Sequence, residues 1–199
     1  MRIIAGEHKG RVLRAPKGLG TRPITDRVKT ALFNILAGRI AGAAVADLFA
    51  GTGTIGLEAL SRGARRCWFA ERDRGAVAGL RANIAAMRLA EKCLVWRGDV
   101  FRHLPDWLAE THEALDLAFI DPPYDLVDRW RWDQAGERLF APLAEHLADD
   151  GLAMFRCQRN IRLPETLGPL CVRDRRDYGK MSLVFLAPAD RPTPSGQRM

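Results

Sequence analysis

Apolar residues along the chain fall into two alternating rhythms. Short, mostly apolar runs occur at residues 43–50, 67–70, 93–96, 115–120 and 152–155. Between them, apolar residues recur at helical spacing, as with Val77, Leu80, Ile84 and Met87 on one face of 73–88. Strands apolar on both sides, alternating with helices, predict a buried parallel sheet. Residues 170–175 and 181–186 follow one another closely across Asp177-Tyr178-Gly179-Lys180, which predicts an antiparallel hairpin closing the sheet. At the other end, 2–6 and 10–14 read as two short strands around a turn at Glu7-His8-Lys9. A loop with Pro16, Gly18, Gly20 and Pro23 follows. Thr25 is then a suitable N-cap, with Asp26 in the first helical turn. Val28, Ala31, Leu32, Ile35 and Leu36 form the apolar face of that helix, Arg27, Lys29, Thr30 and Asn34 the opposite face, and Gly38 ends it.

Composition narrows the class. A chain of 199 residues, 47% hydrophobic, suits one α/β domain with a small appendage. No apolar run reaches transmembrane length and Met1 opens no leader-like pattern, so a cytoplasmic protein without membrane contact is expected. Cys67, Cys93, Cys157 and Cys171 are far apart in sequence, and the four histidines are scattered. Reduced structural thiols and no metal site are expected. The tail from 188 to 199, rich in Pro, Ser and Gly, is expected to be disordered.

The net charge of +7 is unevenly spread. Residues 1–30 hold eight Lys/Arg against two acids, and 156–180 hold seven against three. Residues 31–155 hold fourteen against eighteen. Two basic segments beside a mildly acidic body suit a polyanionic partner. Two solvated basic surfaces without a partner would look the same.

Gly51, Gly53 and Gly56 match G-x-G-x-x-G between a strand and a helix, and Glu71 ends the next strand twenty residues after Gly51. Glycines let the backbone turn sharply and approach a ligand, and a carboxylate at the second strand end can take both ribose hydroxyls. NAD and S-adenosylmethionine share this geometry. Asp47 favours the second, because a carboxylate near the ligand head repels a pyrophosphate and attracts an α-ammonium group. Asp99, ending a third run, can accept from an adenine amino group, with the Val100 N–H reaching a ring nitrogen; it is equally suited to capping a helix.

The run 115–120 leads into Asp121-Pro122-Pro123-Tyr124. Proline fixes φ and offers no N–H, so the Asp121 carboxylate and the Pro122 carbonyl are held as acceptors, and Tyr124 stands beside them. An amino group on a flat base needs acceptors for its N–H bonds and a ring to stack on. A rigid proline turn without a ligand is the plain alternative.

Together, the 47–53 loop and Asp-Pro-Pro-Tyr resemble class I methyltransferases acting on exocyclic amines. Met1-Arg2-Ile3-Ile4-Ala5-Gly6, Lys9-Gly10-Arg11, Thr21-Arg22-Pro23-Ile24-Thr25-Asp26-Arg27-Val28-Lys29 and Leu32-Phe33-Asn34-Ile35-Leu36 narrow the resemblance to bacterial 16S rRNA guanine-N2 methyltransferases of the RsmD type. It covers roughly residues 1–187. It implies a Rossmann-like sheet of seven mostly parallel strands, with a C-terminal antiparallel hairpin and a small N-terminal β-hairpin. Residues 1–24 would form the basic RNA-contacting hairpin and loop, and 25–187 the methyltransferase domain.

The resemblance further implies that Asp47, Phe49, Gly51, Thr52, Gly53, Glu71, Asp99 and Val100 hold S-adenosylmethionine. Asp121, Pro122, Pro123 and Tyr124 would receive the base. Arg2, Lys9, Arg11, Arg22, Arg27, Lys29, Tyr178 and Lys180 would face 16S rRNA, naked or in an assembling small subunit, with the protein acting as a monomer. In one departure, the run 152–155 is followed by Arg156-Cys157, where the resemblance implies a glutamate; different surface contacts are expected there. Adenine-N6 methylation, an NAD-dependent oxidoreductase and a non-catalytic nucleic-acid-binding module remain the rival readings.

Overall fold

A computed structural model describes residues 1–14 and 24–189. The loop 15–23, which includes Arg22, and the tail from 190 onward lie outside the described residues. Helix α1 spans Asp26–Ile35. After it, strands and helices alternate: β1 Ala44–Leu48, α2 Thr54–Ser61, β2 Arg66–Glu71, α3 Arg74–Ala86, β3 Cys93–Arg97, α4 Val100–Ala109 and β4 Leu115–Ile120. Short helices α5 Tyr124–Val127, α6 Trp132–Ala135 and α7 Ala141–His146 come next, with a π-helical turn between the last two. The chain closes with β5 Leu147–Gln158, β6 Thr166–Leu167, β7 Leu170–Tyr178 and β8 Met181–Pro188.

The sheet order is β3-β2-β1-β4-β5-β8-β7-β6. Strands β1 to β5 pair in parallel, and β8, β7 and β6 add antiparallel. Side chains alternate across each strand, so the sheet has two apolar faces. Val45, Phe69, Phe119, Met154 and Phe185 pack under α1, α2 and α3. Ala46, Leu48, Ala118, Ile120 and Phe155 pack under α4 and the helices after β4. The chain order reverses at β1, whose neighbours are β2 and β4, and ligands of such sheets bind at that switch point, beyond the carboxyl ends of the strands. Among the described residues no helix is long and apolar enough to cross a membrane, and no cluster of His, Cys, Asp and Glu could hold a metal ion.

The structure departs from expectation at both ends. Among the described residues the sheet has eight strands rather than seven; the extra one, β6, has two residues, too few to leave an alternation pattern. The N-terminal hairpin is present but short: Arg2 bridges Val12, and the Ile3, Gly10 and Leu13 N–H groups donate to the Arg11, Ile3 and Met1 carbonyls. Its ladder stops because the next donors are taken elsewhere: the Ile4 and Ala5 N–H groups donate to the two carboxylate oxygens of Glu58 on α2. Ile3 and Leu13 are buried in the same apolar cluster as Leu32 and Phe33 of α1, which fixes the segment against the domain.

Candidate active site

The glycine loop follows β1 at the switch point. Gly51 and Gly53 both have positive φ, which L side chains rarely adopt. Their surroundings differ. A Cβ on Gly51 would meet nothing within 4 Å, which leaves room for a ligand beside the backbone, whereas one on Gly53 would strike Leu80. Gly56 on α2 permits close packing on β2, where a Cβ would collide with Phe69 and Cys67. The Gly51 N–H donates to Glu71 Oε2 at 2.8 Å, and Glu71 Oε1 accepts from the Asp73 N–H. Asn83 on α3 donates to the Thr52 and Arg14 carbonyls and accepts from the Arg14 N–H, tying the loop to the N-terminal segment. Nothing in the sequence pattern distinguishes Asn83 from an ordinary polar helix residue.

Asp47 is 1% exposed, and its Oδ2 accepts from the Gly56 N–H at 2.8 Å. Burial pushes its carboxyl well above the usual carboxylate range. The Gly56 hydrogen bond opposes that rise, while Asp121 and Glu71 add to it. A buried acid among other acids is suited to receive a cation. Asp99 caps α4 by accepting from the Phe101 N–H, so the capping role is realised; Val100 begins the helix and is buried. Phe49 has a φ of 65°, rare for a bulky residue. Its ring lies against Phe101 and Trp130, at 6.4 and 6.2 Å between centroids; those two rings meet edge to face at 5.3 Å, and Trp130 stacks on Phe155. This aromatic wall, assembled from four separate segments, escaped the sequence reading.

Backbone hydrogen bonds bring the strand ends together. The Asp121 N–H donates to the Leu48 carbonyl, Ala50 to Ala70, and Gly98 to Glu71. Asp47, Glu71, Asp99 and Asp121 thus lie along one edge. Pro122 and Pro123 carry the chain into α5, which Tyr124 begins. Arg156 on β5 is 4% exposed, so the expectation of surface contacts at that position is corrected. Its Nε donates to Asp121 Oδ1, its Nη1 donates to the Tyr124 hydroxyl at 3.4 Å, and its guanidinium carbon lies 5.2 Å from the Tyr124 ring centre. Burial raises the Asp121 carboxyl above its ordinary value, against the pull of Arg156.

Of the residues assigned to RNA, Arg2, Lys9, Arg11, Arg27 and Lys180 are exposed, and Tyr178 is half-buried at the end of β7. Arg2 pairs with Asp26 and Arg11 donates to the Ala86 carbonyl. Lys29 is a correction. It is 1% exposed and turned inward, with Nζ 3.1 Å from Glu58 and donating to the Arg2 carbonyl. Burial lowers its pKa, opposed by Glu58. Its placement on the polar face failed because the partner, Glu58, comes from another helix.

Comparison with known proteins matches residues 1–187 to a family described as Conserved hypothetical protein 95. The chain belongs to this family. The resemblance to RsmD-type methyltransferases stands with it. A Bacillus subtilis relative named as a candidate rRNA methyltransferase, YlbH, is 36% identical over 181 residues, 90% of this chain and 94% of the relative. Ribosomal RNA small subunit methyltransferase D of Escherichia coli K12 is 39% identical over 124 residues, 62% of this chain and 60% of that protein. Among solved structures, an E. coli protein described as a candidate methyltransferase, yhhF, superposes with a TM-score of 0.76 at 30% identity, covering 94% of this chain and 97% of that one.

Proposed function

We propose that this protein methylates the exocyclic N2 amine of a guanine in 16S ribosomal RNA, with S-adenosylmethionine as the methyl donor. Methylation of ribosomal RNA is the activity carried in the names of its relatives, and the guanine is the finer part of the reading. The observation that carries it is the switch-point edge, where the buried Asp47 and the Asp121–Tyr124 loop stand at the ends of adjacent strands. The donor fits the residues present: Asp47 suits its ammonium group, the open space at Gly51 admits it, and Glu71 and Asp99 can take its ribose and adenine. When bound, it supplies an activated methyl group.

The chain's own work is positioning. Asp121 and the Pro122 carbonyl accept from the target amine, Tyr124 stacks on the base, and the Asp121 carboxylate can hold the proton the amine gives up. Exposed Arg2, Lys9, Arg11, Arg27 and Lys180 draw in the phosphate backbone. The protein would act in the cytoplasm as a monomer. Incubating it with labelled S-adenosylmethionine and either naked 16S rRNA or small subunits, then digesting the RNA for mass spectrometry, tests the reading. N2-methylguanosine is the expected product; N6-methyladenosine would replace guanine by adenine, and no labelled nucleoside would overturn the function.

A further inference from the structure

The half of the site that receives the base contains a residue the positioning scheme above does not use. Arg156 projects from β5, the strand beside β4, into the space behind the Asp121–Tyr124 loop. A guanidinium is a planar fork with five N–H donors, so it can fix two partners at once. Here one edge engages Asp121 Oδ1 and another reaches the Tyr124 hydroxyl, with the charge near the Tyr124 ring. The two side chains assigned to the amine and to the base plane are therefore held by the same third side chain.

We infer that Arg156 is a positioning residue for methyl transfer, orienting Asp121 and Tyr124 together so that the second carboxylate oxygen of Asp121 is presented to the target amine. The inference rests on the proposed function, since it assigns Arg156 a role toward the same amine. The groups bearing on Asp121 are Arg156 from β5 and Asp47 from β1, and Arg156 in turn holds Tyr124 at the start of α5. Arg156 alone brings a positive charge among these three, and it opposes the rise that burial imposes on Asp121. Without it, the carboxylate would lose both its orientation and its bias toward the ionised form.

The test measures kcat, KM for RNA, S-adenosylmethionine affinity and the pH dependence of turnover at saturating S-adenosylmethionine, in the wild type, Arg156→Met, Arg156→Lys and Tyr124→Phe. Arg156→Met should lower kcat on the order of a hundredfold and leave S-adenosylmethionine affinity within about twofold. It should also move the acid limb of the profile to higher pH. Arg156→Lys keeps the charge but cannot span both partners, so kcat should fall while the acid limb stays near the wild-type position; this variant also serves if Arg156→Met does not fold. Tyr124→Phe removes one guanidinium contact and should leave the limb in place. A folded Arg156→Met enzyme with wild-type kcat and an unmoved limb overturns the inference alone. So does Arg156→Lys with undiminished kcat. A wild type that methylates no RNA overturns the proposed function and this inference with it.

Discussion

Asp47 lies on β1 and Asp121 just past the end of its parallel neighbour β4, and burial pushes both carboxyls above their ordinary range. They differ in what surrounds them. Asp47 has a single backbone N–H on Oδ2 and two like-charged neighbours, Asp121 and Glu71. Asp121 has a guanidinium from its own chain. On the proposed reading, the first would receive a cation, and the second, already paired with one, would receive a neutral amine. On that reading, opposite demands on neighbouring strand ends would separate cofactor recognition from base recognition within one small site. The contrast also teaches that two acids both shifted upward can suit different ligands, and that the charged partner, not the burial, tells them apart.

The largest effect should come from Asp121→Asn. The shape is kept, but one acceptor becomes an NH2 donor facing the substrate's own NH2. Turnover should fall on the order of a hundredfold or more, with S-adenosylmethionine affinity nearly unchanged in calorimetry. A variant that methylates RNA at wild-type rate would reduce Asp121 to a turn residue. Asp47→Asn should act the other way round, weakening S-adenosylmethionine by roughly tenfold or more, the scale of a charge-assisted hydrogen bond, with a smaller effect on kcat at saturation.

The same Asp47→Asn substitution should stabilise the ligand-free protein. A group whose folded pKa is raised binds its proton more tightly in the native state, so stability falls as pH rises from the ordinary carboxylate value toward the raised one. Asparagine removes that decline. Thermal melts should show the variant a few degrees above wild type at neutral pH, with the gap closing near pH 4 and below. A gap that is constant with pH would place the effect elsewhere than in the ionisation of Asp47.

The smallest effect tests the basic surface. Neutralising Lys9, Arg11 and Arg27 together should flatten the log–log dependence of RNA affinity on salt by about 2, at roughly 0.7–0.9 per phosphate contact, and leave the Asp47 and Asp121 phenotypes untouched. Lys29→Gln should leave the slope unchanged, since Lys29 is buried against Glu58. If Lys29→Gln changes the slope and the triple variant does not, the RNA lies on another face.

Much of this arrangement was legible in the chain. The strand 115–120 and the parallel sheet follow from largely apolar runs, and the Thr25 cap and the glycine loop from local chemistry whose partners lie within a few residues. Asp47, Glu71 and Asp121 could be found because strand ends are positions a sequence reveals. Arg156 and Lys29 were misread for one shared reason. Each is a cation in a basic segment whose anionic partner lies far along the chain, 35 residues away for Arg156 and 29 for Lys29. Charge runs suggest solvent, and only tertiary packing shows which cation has turned inward. The aromatic wall around Phe49 was hidden likewise, since Phe101, Trp130 and Phe155 meet only once four segments are assembled.

Helix α2 is two turns long and bears on both halves of the molecule. Its Gly56 N–H holds Asp47, while Glu58 and Ser61 grip the N-terminal segment through Ile4, Ala5, Lys29 and His8. Under the proposed function, a displacement of that helix would reach both the methyl-donor pocket and the segment bearing Arg2, Lys9 and Arg11. Such a shared lever obeys thermodynamic reciprocity: whatever factor RNA lends to donor affinity, the donor lends to RNA affinity. The order in which the two ligands arrive then has no bearing on the stability of the ternary complex, only on the route by which it forms.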